Sequence, residues 1–264
     1  MTHNPYKGKV ELLGGPSGTW LFKAHEVWID GKAYEHREFA FKGALEREAI
    51  IYARLGDHAR ITKCFGLREF APGSQSLQLE RASVGCARQY TTDHADKPPA
   101  LHLRLRMAVD FAEGVEYLHE KGVTWCDLSA RNALLFDNFR VKLCDFGGAV
   151  MTGSDFEEIQ SYESRYETPL RGREWSDVPP LTQELYALGS AVYEITEWKI
   201  PYGDVPEEEI DAHIGDGNLP VLTEQNSAAS IIAKCWREEY HSASAVVRDL
   251  QICFEESQPR IPLP

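Results

Sequence analysis

The chain has 264 residues, 43% hydrophobic and 26% charged, which suits one large or two-lobed domain better than a single small core. Its 41 acidic against 28 basic residues leave a net charge of −13, which repels phosphate backbones and argues against a nucleic-acid partner, though a local basic pocket is still allowed. No apolar run reaches membrane-spanning length, the opening MTHNPYKGKVELLGG lacks a signal-peptide core, and the six scattered cysteines form no C-x-x-C pair, so reduced thiols in the cytoplasm or nucleus are expected.

In chain order, the first eighty residues read as short strands around one helix. The cluster LLGGPSGTW reads, taken alone, as a hairpin turn. The stretch ALEREAIIYARLG carries Leu45, Ala49, Tyr52 and Leu55 at helical spacing and stops at Gly56. Glu48 lies three residues after Leu45 and four before Tyr52, so it shares the inward face, whereas Glu46 and Arg47 point elsewhere. SLQLERA alternates as a strand, and residues 83–99 read as a polar loop. From Leu101 long helices take over. LHLRLRMAVDFAEGVEYLHEKG aligns Leu101, Leu105, Ala108, Ala112, Val115 and Leu118, and ELYALGSAVYEITEW is apolar nearly all round, as a buried helix must be. SAASIIAKCW and ASAVVRDLQICF predict two more helices. The expected fold is α+β: a strand-rich lobe over 1–79, a connector at 80–82 and a helical lobe over 83–264.

Between the helices stands WCDLSARNALLFDNFRVKLCDFGGAV. Asp127 and Asn132 precede a strand ALLF, a turn DNF, a second strand VKLC and then Asp145-Phe146-Gly147. A strand pair joined by a turn brings its two ends together, so Asp127, Asn132 and Asp145 are predicted to meet. Such a group of oxygen donors is what Mg²⁺ and a phosphate-bearing substrate need.

This segment resembles the eukaryotic protein kinase family, whose catalytic loop H-R-D-L-x-x-x-N is followed by D-F-G at this spacing. YLHEKG, ELYALGSAVYEITEWKIPY and KCW are similar to the family as well, strongly after Leu101 and loosely before it. The DLSARN wording and the late CW…EYHSA pattern are similar to orphan kinases of filamentous fungi. The resemblance implies a two-lobed fold that transfers the γ-phosphate of ATP to a Ser/Thr or Tyr hydroxyl of a protein or peptide. By it, Asp127 orients the acceptor hydroxyl, Asn132 and Asp145 hold Mg²⁺ against the phosphates, and Arg131 sits where tyrosine kinases often carry arginine. Glu48 would fix an ATP-contacting lysine, for which Lys32 is favoured over Lys42. Gly15 and Gly18 would fit the phosphate-cradling loop, Leu79 would back the adenine pocket, Glu80 and Ala82 would offer it backbone groups, and Leu134 would form its floor.

The chain departs from the family at several points. Trp125-Cys126 replaces the His-Arg pair before the catalytic aspartate, so phosphorylation of the segment 161–168 should not be obligatory through that arginine. Cys126 and Cys144 each adjoin a proposed catalytic aspartate and are expected to be core thiols of raised pKa. Glu184 replaces an aspartate, and Pro16 removes a donor from the glycine loop. Ala-Pro-Glu shrinks to Thr168-Pro169-Leu170, with no Arg-Pro after Trp236, so both members of that ion pair are expected to be absent. A pseudokinase scaffold, favoured by the degenerate glycine loop, and a small-molecule phosphotransferase are the competing readings.

Overall fold

The computed structural model describes residues 13–15, 18–24, 46–71, 74–156 and 162–258, giving only the backbone at 13–24, 69–71, 74–76 and 207. Strands β1 (Leu13–Gly15), β2 (Gly18–Ala24), β3 (Cys64–Ala71) and β4 (Ser74–Glu80) form an antiparallel sheet in the order β1-β2-β4-β3. Helix α1 (46–55) carries Ile51, Tyr52 and Leu55 into the core beside Leu77 and Leu79 of β4. The β1–β2 hairpin, the helix and β4 fall where the sequence reading puts them, β3 has no such forecast, Leu45 lies outside the described residues, and Gly56 stops the helix with φ of 63°, a conformation open to a residue without Cβ.

One expectation fails after the sheet. Instead of a plain loop over 83–99, the chain makes a short strand β5 (Gly85–Cys86) and a helix α2 (Ala87–Asp93). Only Ala87 and Thr91 of that helix are buried, so it carries no apolar period by which it could be read. Helix α3 (Leu101–Glu120) does follow its predicted stripe, with Leu105, Ala108, Ala112, Val115 and Leu118 fully buried. It also buries Phe111 along that stripe and Met107, Val109 and Gly114 outside it, because it is packed from several sides, by the strand β8 (Arg140–Leu143) and the helix α7 (Ala243–Glu256) among others. Gly114 allows the approach to the strand: a Cβ there would stand 2.6 Å from Leu143 Cδ1.

A two-stranded element β6 (Val123–Thr124) pairs with β9 (Val150–Met151). Strand β7 (Ala133–Phe136) lies between β5 and β8, in register Ala133↔Leu143 and Leu134↔Lys142, with the turn at Asn138 and Phe139 taking positive φ. Asp110 of α3 secures the start of β8, since its carboxylate accepts from Val141 N (3.1 Å) and pairs with Arg140 and Arg60. Helix α4 (Pro180–Tyr193) begins with proline in its first turn, runs buried through the molecule and widens into a π-helical turn at Glu194–Trp198. Gly189 lets it cross α6 (Ala229–Trp236), where a Cβ would meet Cys235 Cβ at 2.4 Å. Helix α5 (Glu207–Gly215), which the sequence pattern did not announce, packs near the segment at Ser164–Tyr166.

Candidate active site

The β7–β8 pair brings its two flanks together. Cys144 N donates to Asn132 O at 3.0 Å, so the residue before Asp145 is bonded to the end of the loop that carries Asp127. Asn132 is buried, and its Nδ2 donates both to Asp127 O (2.9 Å) and to Asp127 Oδ2 (3.0 Å), leaving Oδ1 as its remaining donor atom for a cation. Arg131 Nη2 donates to Asp127 Oδ1 at 2.7 Å. Burial pushes the Asp127 carboxyl up to about 6, with the charge of Asp145 acting in the same direction and Arg131 and Asn132 opposing. A carboxylate poised near neutral pH suits a proton acceptor.

Left-handed backbone precedes one aspartate and carries the other. Cys126, just before Asp127, has φ of 64°, and Asp145 itself has φ of 62°. Such conformations cost about 1–3 kcal/mol each and persist only where neighbours impose them. Glu184 imposes the first. Fully buried on α4, it accepts from Trp125 N (2.5 Å) and Cys126 N (3.0 Å) with one oxygen and pairs with His119 Nε2 (2.5 Å) through the other. The second is held from two directions: Trp125 Nε1 donates to Asp145 O (2.7 Å), and Phe146 N donates to Glu48 Oε1 (3.1 Å). Phe146 is fully buried, with ring centroids 5.0 Å from Tyr52 and 5.6 Å from Trp125. Glu184 and His119 were legible only as a substitution and as a helix end; nothing periodic links residues 65 positions apart. Among the cysteines, Cys126 is buried with its thiol 3.6 Å from Thr124 O, and Cys144 donates to Asn132 O at 3.3 Å.

The other predicted positions divide between those the structure places and those it does not. Leu79 is buried on β4 and Leu134 is buried on β7. Glu80 N donates to Lys63 O (2.9 Å) and its carboxylate pairs with Lys142 (2.5 Å), while Ala82 follows the strand, half-buried. Gly15 and Gly18 face each other as the last pair of the β1–β2 hairpin. Lys32 and Lys42 lie outside the described residues. Lys23, which sequence reasoning passed over, sits on β2 in register with Leu77 of β4, the strand that leads to the connector.

A second set of charges joins this loop to the segment after Phe146. Arg88 of α2 makes a bidentate pair with the buried Glu194 (2.8 Å twice) and reaches Glu163 at 2.5 Å. Tyr166 OH donates to Glu194 Oε2 (2.7 Å) and accepts from Ala130 N (3.2 Å). Farther along, Leu170 stands where the family has its glutamate and no Arg-Pro follows Trp236, but a different ion pair joins the same two regions. Glu238, two residues after Trp236, takes Arg173 through both oxygens (2.7 and 2.9 Å) and Arg171 at 2.8 Å, so the segment carries the cations and the helical lobe the anion. Arg173 holds the Glu238 carboxyl below the usual range. The two arginines stand in RGREW, and relative to the family's glutamate–arginine pair the signs are reversed.

The chain matches the family described as protein tyrosine and serine/threonine kinase over residues 32–247. It is 23% identical over 270 residues to a probable serine/threonine-protein kinase of Dictyostelium discoideum, covering 98% of this chain and 20% of that protein. It is 28% identical over 199 residues to a serine/threonine/tyrosine-protein kinase of Arabidopsis thaliana (71% and 50%). It is also 28% identical over 201 residues to the melanoma receptor tyrosine-protein kinase of Xiphophorus maculatus (72% and 16%). The chain thus spans half or less of the length of these relatives.

Proposed function

The chain belongs to the protein tyrosine and serine/threonine kinase family, and we propose from that premise that it is an active protein kinase transferring the γ-phosphate of ATP to a hydroxyl of a protein substrate. The observation that carries this reading is the meeting of Asp127, Asn132 and Asp145 around one loop, with Asn132 bonded to Asp127 at 3.0 Å and to Cys144 at 3.0 Å. In this reading Asp127 accepts the hydroxyl proton as the oxygen attacks the γ-phosphorus and the bond from that phosphorus to the β,γ-bridging oxygen breaks, releasing ADP. Asn132 Oδ1 and the Asp145 carboxylate are the hard oxygen donors for Mg²⁺, an ion that is usually bound through one or two protein ligands and the nucleotide phosphates. Bound there, Mg²⁺ supplies charge neutralisation at the phosphates. Leu79, Leu134 and the backbone of Glu80 and Ala82 receive the adenine, with the Glu80 N–H already spent on Lys63. Glu48 supports the site from α1 through Phe146. Lys32 remains the sequence-favoured phosphate lysine, and the position of β2 beside β4 makes Lys23 its rival.

No helix among the described residues is long and apolar enough to cross a membrane. Arg131 favours a tyrosine or relaxed hydroxyl specificity, which phosphoamino-acid analysis of the labelled substrate decides.

The test is transfer of labelled γ-phosphate from Mg·ATP to generic protein substrates, with Asp127→Asn beside the wild type. Loss of a general base should remove roughly 10²–10⁴ of the rate. Lys32→Met and Lys23→Met, assayed together, identify the phosphate lysine as the one whose loss abolishes transfer. A wild-type chain that binds Mg·ATP, seen as a raised melting temperature, yet transfers nothing would make it a binding module and sink the catalytic reading.

A further inference from the structure

The catalytic loop and the segment around Tyr166 are joined by a closed ring of contacts. Asp127 pairs with Arg131 (2.7 Å), Arg131 Nε lies 3.5 Å from Glu163 Oε1, Glu163 meets Arg88 (2.5 Å), Arg88 clasps Glu194, and Tyr166 ties Glu194 back to Ala130. Every member except the half-exposed Arg131 is largely buried, with side-chain exposure of 17% at Arg88, 13% at Glu163 and 1% at Glu194. Glu163 is the only residue of the ring that touches cations from both the loop and α2, and Arg165 stands 3.9 Å away as a third. Its Oε1 is buried and takes no hydrogen bond, so that oxygen acts on Arg131 through charge at ion-pair distance. From the loop, Arg131 is the cation that reaches both Asp127 and Glu163.

We propose that Glu163 is a positioning residue for phosphoryl transfer: a fixed carboxylate, standing between Arg131 and Arg88, that holds the segment in register with the catalytic loop without a phosphate on the segment. The proposal rests on the kinase reading above. Two arginines drawn toward one place need a negative charge between them. Where a phosphorylated side chain could supply that charge, Glu163 supplies it permanently. Arg131 is thereby shared between the segment and Asp127, so the segment's placement and the orientation of the base depend on the same carboxylate.

The experiment uses the whole chain, treated with phosphatase, as wild type, Glu163→Gln and Glu163→Asp. Three quantities are read: the transfer rate, the affinity for Mg·ATP, and amide hydrogen exchange at 128–132 and 162–167. Phosphatase-treated wild type is expected to keep its rate. Glu163→Gln should lose about tenfold to a hundredfold in kcat, the scale of a slightly misplaced catalytic group, with nucleotide affinity unchanged and exchange faster in both stretches. Glu163→Asp, which restores the charge on a shorter arm, should regain part of the loss. The proposal is overturned if phosphatase abolishes wild-type transfer, if Glu163→Gln leaves kcat or exchange at the wild-type value, or if Glu163→Asp is no better than Glu163→Gln. A wild type that transfers nothing would sink the kinase reading instead, and exchange, which needs no catalysis, would still decide whether Glu163 joins the two stretches.

Discussion

The segment that follows Phe146 is fastened at two places by the same chemistry in different surroundings. Near its middle, Arg88 binds Glu163 and Glu194 with side-chain exposures of 17%, 13% and 1%. Near its end, Arg171 and Arg173 bind Glu238 with exposures of 44%, 31% and 17%. The inner cluster also connects to Asp127 through Arg131, whereas the outer one connects to Thr168 and the Trp236 carbonyl. Equal numbers of arginine–carboxylate contacts therefore do different things. Water screens the outer pair, so its geometry holds a loop end at small net gain. The inner pair is shielded, so each charge depends on the others staying in place.

Removing one member from each cluster sharpens this contrast. Arg88→Ala leaves Glu194 buried with Tyr166 alone and should cost about 3 kcal/mol, the scale of an unpaired buried charge, read from the denaturant midpoint. Arg173→Ala leaves Glu238 still paired with Arg171, itself 44% exposed, so about 1 kcal/mol or less is expected from the same measurement. Equal losses would erase the distinction drawn here.

The smallest effect concerns pH. With the Asp127 carboxyl raised to about 6 by burial, kcat/KM should fall as pH drops through that value, because only the ionised form accepts a proton. The charge of Arg131 lowers this pKa, so Arg131→Met should move the acid limb upward by a fraction of a pH unit. Arg173→Ala, which touches only the outer cluster, should leave the limb where it is. A limb that shifts with both variants, or with neither, would break the link between the inner ring and the base.

Much of the site could be read in advance because it lies within one short stretch. The interval from Asp127 through Asn132 to Asp145 is closed by a β-hairpin whose strands declare themselves in ALLF and VKLC, and Glu48 declares its inward face by helical spacing. Helix α2 could not be read that way, since ARQYTTD buries only an alanine and a threonine. Around Lys32 and Lys42 the sequence offers only short apolar runs and a turn, which leave several registers open, and the pairing of β2 with β4 introduces Lys23 as a candidate that no local pattern singles out.

By itself, then, the amino-acid sequence determined the helices with a continuous apolar stripe, the β7–β8 hairpin and the carboxylate–amide group that it closes. Backbone periodicity and short loops fix those within about twenty residues. Only the tertiary structure decided that Glu184 anchors Trp125 and Cys126, that Arg88 clasps Glu194 and Glu163, and that Glu238 faces Arg173 with signs reversed. These partners lie 58 to 106 residues apart. Ionic side chains at such separations carry no period and no fixed sign, and they find one another only after the core has brought their helices together.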